Sequence, residues 1–317
     1  MHEVMEYIKL HDHFLLIAHK KPDGDTAGSI TAMANVLEAW GKDFVAYCKD
    51  LPDHHYQFLP LVEKITKDDQ LVLSHQPYEC VIVFDSGDLG YAGVDALVQS
   101  LNPRPFIINI DHHRTNTRYG DINIVVDSAA STTEVVAAMF EAEHVGLTQE
   151  IATCLLTGLV TDTGSFTNPA TSVSALNTAS SLVEHGGKFC TILKQLVANR
   201  TLPSMRLWAE CFNRLQVVEP WNIAVTVITK EDQETFGVAE EQTEGIANFL
   251  NSLAGVNAIM VLKELPNGLI KASLRTTRED VDVARFAQFF GGGGHKKAAG
   301  FTVAGRLERQ GTTWRVV

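Results

Sequence analysis

Two carboxylates flanking one glycine, Asp23-Gly24-Asp25, follow closely on a histidine that ends an apolar run, Phe14-Leu15-Leu16-Ile17-Ala18-His19. Two further apolar runs end the same way: Val81-Ile82-Val83-Phe84 meets Asp85, and Phe106-Ile107-Ile108-Asn109-Ile110 meets Asp111-His112-His113. Asp162 closes a helical run in the context Thr161-Asp162-Thr163-Gly164. If Asp23, Asp25, Asp85 and Asp162 share one locus, their like charges resist joint ionisation. Two divalent cations cancel four negative charges, and neutral imidazoles complete the donor set. Such a set is too hard for a thiolate-type zinc preference and too rich in nitrogen for calcium. Mn²⁺ is the expected ion, with Mg²⁺ or Co²⁺ as substitutes. The expected chemistry is hydrolysis of a phosphate ester or anhydride by two-metal activation of water.

These groups need a scaffold that gathers them. Continuous apolar runs suit strands buried on both faces, hence a largely parallel sheet flanked by helices. Residues at the carboxyl ends of such strands face a common crevice. Helical spacing marks 26–40, 131–144, 148–160 and 172–185, with Thr171 or Ser172 placed to cap the last and Gly186-Gly187 to end it. Gly24 is expected to bend the chain so that both neighbouring carboxylates converge. The fold class is α/β, with a metal-binding domain over 1–187, a helical connector over 188–215 and a smaller α+β domain over 216–317. In that second domain Ile223–Ile228, Ala258–Leu262 and Leu269–Leu274 read as strands, the last two joined through the turn Pro266-Asn267-Gly268. A cleft between the domains and a hinge in the connector are expected to accompany this arrangement.

Composition narrows the partners. The 317 residues carry 26 Lys and Arg against 38 Asp and Glu, a net charge of −12. That balance disfavours long-duplex binding driven by counterion release. Five single cysteines with no CxxC spacing read as a reduced, cytoplasmic chain. No signal-peptide pattern and no membrane-length apolar run is present.

At this point the motifs carry a resemblance. His19-x3-Asp23-x-Asp25, Asp85, Asp111-His112-His113 and Asp162 resemble the four motifs of the DHH phosphoesterase superfamily. Gly291-Gly292-Gly293-Gly294-His295-Lys296-Lys297-Ala298-Ala299-Gly300-Phe301 resembles the signature of its DHHA1 domain. The motifs run in the family's order, and the chain is similar to the bacterial nanoRNase/pAp phosphatase group, pAp being 3′-phosphoadenosine 5′-phosphate. The resemblance implies His19, Asp23 and Asp85 at one metal, and Asp25, Asp85, His112 and Asp162 at the other. It implies that His113 contacts the scissile phosphate while Asp111 orients the imidazoles. Arg275, Gly293, Gly294 and His295 are implied at the substrate's other phosphate, where a guanidinium fork suits the anion. Expected partners are short oligonucleotides and pAp, with a homodimer admitted and neither long duplex nor membrane.

Plainer roles compete for some of these residues. Asp53-His54-His55 repeats the letters DHH but follows Leu51-Pro52 in a loop, so no strand end aims it into the crevice. His11 and His13 read as surface residues, Arg114 and Lys21 as solvated charges, and Arg278 as the lesser alternative to Arg275. The glycine run lacks the Gly-Lys-Ser/Thr of a Walker loop, which removes the kinase reading. A cyclic-dinucleotide or pApA phosphodiesterase would use the same residues. A non-enzymatic nucleotide sensor would be expected to have lost a ligand.

Overall fold

The computed structural model describes residues 2–196, 201–239, 241–243, 245–311 and 313–317. The chain divides into two compact units, Met1–Ala198 and Asn199–Val317.

The first unit holds strands β1 (His13–Ala18), β2 (Asp43–Cys48), β3 (Ile65–Thr66), β4 (Cys80–Phe84), β5 (Phe106–Asp111) and β6 (Ile122–Val125). Its helices are α1 (His2–Leu10), α2 (Gly24–Ala39), α3 (Asp69–Ser74), α4 (Leu89–Ala92), α5 (Asp95–Ser100), α6 (Thr132–Ala142), α7 (Gln149–Asp162), α8 (Val173–Glu184) and α9 (Phe189–Leu196). The strands are all parallel, in the order β3-β2-β1-β4-β5-β6. Alternate residues of each run serve opposite faces. Phe14, Leu16, Ile82 and Phe84 pack with α2, α6 and α7, while Leu15, Ile17, Val81 and Val83 pack with Val72, Ala92 and Val98 of α3, α4 and α5. This two-sided burial is why the runs are continuous rather than alternating.

The chain builds β1 to β3 outward, then returns to lay β4 beside β1. That reversal opens a crevice at the strand ends, and His19 and Asp85 stand on either side of it. The four helices expected at 26–40, 131–144, 148–160 and 172–185 are α2, α6, α7 and α8, capped by Asp23, Ser131, Thr148 and Ser172. Helices α2 and α7 cross at very short range. A Cβ on Gly28 would lie 2.4 Å from the Cys154 carbonyl oxygen, and one on Gly158 would lie 2.5 Å from an Asp25 oxygen. The expectation for Gly24 is corrected here: it opens α2, and a Cβ there would lie 2.5 Å from Thr161 Cγ2. Its role is close packing against α7 rather than a sharp bend.

The stretch read as one helical connector comprises α9 and then α10 (Leu202–Asn213), with 197–200 outside the described residues. Thr201 caps α10 and Pro203 sits in its first turn, so the proline marks a helix start.

The second unit contains β7 (Gln216–Val218), β8 (Ile223–Ile228), α11 (Lys230–Phe236), α12 (Ile246–Leu250), β9 (Ala258–Glu264), β10 (Leu269–Arg275), α13 (Val283–Gln288), β11 (Gly293–His295) and β12 (Ala298–Ala304). Its sheet runs β11-β12-β10-β9-β8-β7, antiparallel except for β8 beside β9. The expected β9–β10 hairpin is present, with Gly268 at φ 72° in its turn. Helices α10 and α12 cover one face through Leu207, Trp208 and Leu250, and α13 covers the other through Val283, Ala284 and Ala287. A separate hairpin, β13 (Leu307–Gln310) with β14 (Thr313–Val316), ends the chain. Among the described residues no helix is long and apolar enough to cross a membrane.

Candidate metal centre

Asp85 is the hub of the crevice. It follows β4 at φ 55°, a left-handed conformation that aspartate tolerates better than most residues, and is 2% exposed. Its Oδ2 accepts the Thr26 hydroxyl at 2.6 Å and its Oδ1 the Thr132 hydroxyl at 3.0 Å. Three imidazole nitrogens surround the same carboxylate: His19 Nε2 at 3.4 Å, His112 Nε2 at 3.6 Å and His113 Nδ1 at 3.5 Å.

The neighbours are held just as firmly. His19 pairs Nδ1 with the Lys20 carbonyl at 2.8 Å, which leaves Nε2 to face Asp85. Asp23 caps α2 by accepting the N–H groups of Asp25 and Thr26 at 3.0 and 3.1 Å. Asp25 is fully buried, and its oxygens accept the Thr132 and Thr133 N–H groups at 2.6 and 2.9 Å. These amides open α6, where unpaired N–H groups and the helix dipole favour an anion. His112 Nε2 lies 3.4 Å from Asp162 Oδ2 and 3.9 Å from Asp25 Oδ2. Asp162 ends α7, the helix that crosses α2.

The donor atoms of His19, Asp23 and Asp85 lie within 4.8 Å of one another, as do those of Asp25, His112 and Asp162, and those of Asp85, His112 and His113. The six residues expected from sequence as metal ligands therefore meet in one place. Asp111 departs in detail from the expectation that it orients both imidazoles. Its Oδ1 accepts His113 Nδ1 at 2.8 Å, whereas the His112 ring pairs with the Ala129 carbonyl at 3.4 Å. Asn116 holds the other oxygen of Asp111 at 2.5 Å.

Crowding shows in the protonation preferences. Burial, then the charge of Asp85, pushes the Asp25 carboxyl up to about 7. Burial and the charges of Asp25, Asp23 and Asp85 push Asp162 well above the usual range. Burial opposes protonation of His19, but its hydrogen bond and attraction to Asp85 win and raise the imidazole to about 9. Burial opposes protonation of His113 too, but its bond to Asp111 together with the charges of Asp85, Asp111 and Asp25 raises it to about 9. Burial would raise Asp85, yet the His19 hydrogen bond and the charges of His19, His112 and His113 together hold that carboxyl well below its ordinary value. Carboxylates that cannot all ionise beside imidazoles demand positive charge, and divalent cations fit a donor set of carboxylate oxygen and imidazole nitrogen.

In the second unit, the register sets Arg275 opposite Ala298 and Ala298 opposite His295. Arg275 and His295 thus share a face of the sheet, two strand spacings or about 10 Å apart. Arg275 Nε donates to Asn248 Oδ1 at 2.8 Å, and Nη1 to the Leu274 carbonyl at 2.8 Å. The glycine run packs closely within its own sheet. A Cβ on Gly292 would lie 2.2 Å from the Gly300 oxygen, and one on Gly294, at φ 137°, 2.6 Å from the Ala298 oxygen. The close approach that Gly292 and Gly294 permit is to the neighbouring strand β12, while Gly291 and Gly293 face open space.

Asp53-His54-His55 forms a 3₁₀ turn apart from the Asp85 hub, its two imidazoles sharing Asp53 Oδ1. His11 and His13 are half-buried rather than at the surface, their rings packed on Tyr7 and Tyr78. Sequence reading missed Thr26, Asn116, Thr132 and Thr133. The cap Ser131 before Thr132-Thr133-Glu134 marks a helix start, and a helix start at a crevice is the signal that pointed to Asp25.

Comparison with known proteins bears on this centre. Residues 13–159 match the family model described as DHH family, N-terminal domain, and residues 222–310 match the DHHA1 domain. A Thermus thermophilus protein named bifunctional oligoribonuclease and PAP phosphatase NrnA is 30% identical over 96% of this chain and 89% of its own length. A Geobacillus thermodenitrificans protein named cyclic-di-AMP phosphodiesterase GdpP is 28% identical over 93% of this chain, which spans 45% of that protein. A crystal structure of an exopolyphosphatase-related protein from Bacteroides fragilis has the same fold, with TM-score 0.86 and 24% identity, covering 95% of this chain and 89% of that one. Both family models in order, with 30% identity along nearly the whole length of a relative, show that the chain belongs to the DHH/DHHA1 family of phosphoesterases.

Proposed function

We propose that the protein is a divalent-metal-dependent phosphoesterase that hydrolyses very short oligonucleotides and pAp. The observation that supports this most is the convergence around Asp85 of acids and imidazoles from three other segments, the 19–25 loop, His112 and Asp162. His19, Asp23 and Asp85 would hold one cation, and Asp25, His112 and Asp162 the other, with Asp85 between them. Mn²⁺ suits the mixed donors, and Mg²⁺ or Co²⁺ could substitute. Bound there, paired cations supply water activation and compensation of phosphoryl charge.

The chain's own residues do the positioning. Thr26 and Thr132 fix Asp85, the α6 amides fix Asp25, and the Asp111 pairing turns His113 so that Nδ1 is committed and its protonated form is favoured. A cationic His113 would attract the scissile phosphate. In the second unit, Arg275 and His295, with open space at Gly293, would take another phosphate of the substrate. The charge of −12 opposes long strands. The cysteines are unpaired and four of the five are buried, which fits a reducing, cytoplasmic setting.

The NrnA-named relative supports the oligonucleotide and pAp reading; the GdpP-named one supports cyclic dinucleotides as the second. The test is turnover by the Mn²⁺-loaded protein of a length series from two to thirty nucleotides beside pAp, pApA, cyclic di-AMP and pyrophosphate. Turnover should fall steeply with length and be high for pAp. Equal or faster turnover of the longest member overturns the proposal, and preference for cyclic di-AMP replaces it with the second reading.

A further inference from the structure

Tyr91 lies on α4, just beyond Asp85, and is 51% exposed. Its ring centroid is 5.3 Å from that of His19, the planes inclined by 52°. The backbone beneath it is pinned. Asp88 caps α4 and accepts the Tyr91 N–H at 2.7 Å. The Ala92 carbonyl accepts the Lys20 N–H at 3.2 Å, which ties α4 to the loop carrying His19, and Ala92 itself is buried in the core. The helix is therefore anchored by Ala92, while Tyr91 beside it is about half exposed. A rigid aromatic surface thus stands at the rim of a centre otherwise built from aspartate, histidine and threonine.

A phosphate at that centre needs none of this apolar surface, whereas the nucleoside attached to it carries an uncharged ring with π faces. We propose that Tyr91 stacks the base of the nucleotide whose phosphate ester is cleaved, and so selects nucleotides over phosphate esters that lack a base. The inference rests on the phosphoesterase reading above and adds the residue that recognises the nucleoside. Stacking needs no hydrogen-bonding pattern, so Tyr91 confers preference for a base without strong preference among bases. Its contribution is about 10- to 100-fold in affinity.

Calorimetric titration of the full-length, Mn²⁺-loaded protein with AMP and with ribose 5-phosphate, the same phosphate ester without its base, tests this. Wild type should bind AMP about 10- to 100-fold more tightly. Y91A should bring the two affinities together by weakening AMP alone, and Y91F should keep them apart because the hydroxyl is not used. Unchanged ribose 5-phosphate binding by Y91A also reports an intact fold. A wild type without preference for AMP, an AMP preference that survives in Y91A, or equal weakening of both ligands overturns the inference. Failure of the phosphoesterase reading itself would show separately, as absent turnover of pAp and dinucleotides by wild type.

Discussion

Each oxygen of the Asp85 carboxylate has its own threonine hydroxyl donor, and both threonines sit in the first turn of a helix. A carboxylate shared between two cations has to keep one orientation, and the hydroxyls supply that restraint. Thr132→Val should weaken Mn²⁺ binding about 10- to 100-fold, the usual cost of losing a hydrogen bond behind a metal ligand. Thr132→Ser should stay near wild type in the same calorimetric titration; equal loss in both variants would mean that shape, not the hydroxyl, matters. The two Asp-His-His tripeptides sharpen the point. In each, the aspartate Oδ1 accepts both the backbone N–H and the ring Nδ1 of the second histidine, at 3.0 and 2.5 Å for His55 and at 3.1 and 2.8 Å for His113. The letters give the same side-chain pairing, one beside a 3₁₀ turn and one at the end of β5, yet only the second lies beside Asp85. His54→Ala with His55→Ala should leave Mn²⁺ stoichiometry and turnover unchanged, whereas His112→Ala should lower both, as read by metal analysis and pAp hydrolysis.

Among the elements, the crossing of α2 and α7 sets where Asp25 and Asp162 meet. Gly28 and Gly158 leave no room for a methyl group, because backbone or buried polar atoms of the partner side fill the space. Gly28→Ala should destabilise the first unit by about 1–3 kcal/mol through overpacking. That corresponds to a thermal midpoint roughly 2–10 °C lower by calorimetry, and an unshifted midpoint would mean the helices separate at no cost. In the second unit, Thr229 caps α11 in a reciprocal capping box with Asp232, which also pairs with both terminal nitrogens of Arg214 at 2.5 and 2.7 Å. Burial raises the Asp232 carboxyl, but the Arg214 pairing and the Thr229 N–H and hydroxyl together hold it below the ordinary value. The unfolded chain therefore takes up this proton more readily than the folded one. The stabilisation is complete above the ordinary carboxylate range near 4 and is lost as pH falls below it. Asp232→Asn should cost on the order of 2 kcal/mol at pH 7. Urea midpoints measured from pH 7 to 3 should show the gap to wild type closing with acid; a constant gap would place the effect outside the carboxylate charge.

For the molecule as a whole, the core of each unit is its own, and the proposed cation donors all belong to the first. Cations that bind only the folded state stabilise it by mass action, about 2.7 kcal/mol at a hundredfold excess over the dissociation constant. Hydrogen exchange on the intact protein should therefore slow on adding Mn²⁺ in the N-terminal turns of α2 and α6 and at the ends of β1, β4 and β5. The β9–β10 hairpin should be unaffected by metal alone. Protection confined to the second unit would contradict the assignment of the donors.

Much of this protein is legible in its sequence because the relevant physics is short-ranged. Two-sided burial writes continuous apolar runs at β1, β4 and β5, caps write Ser and Thr at the starts of α6, α7 and α8, and donor chemistry writes Asp and His at strand ends. The motif order then names the family. Other features were decided only in three dimensions. Asp25 rests on amides 107 and 108 residues away, His112 turns to the Ala129 carbonyl rather than to Asp111, and Gly24, Gly292 and Gly294 serve packing within the chain. Two identical tripeptides diverge for the same reason. Sheet register and helix crossing determine which distant groups meet, and no local window of residues contains that distance.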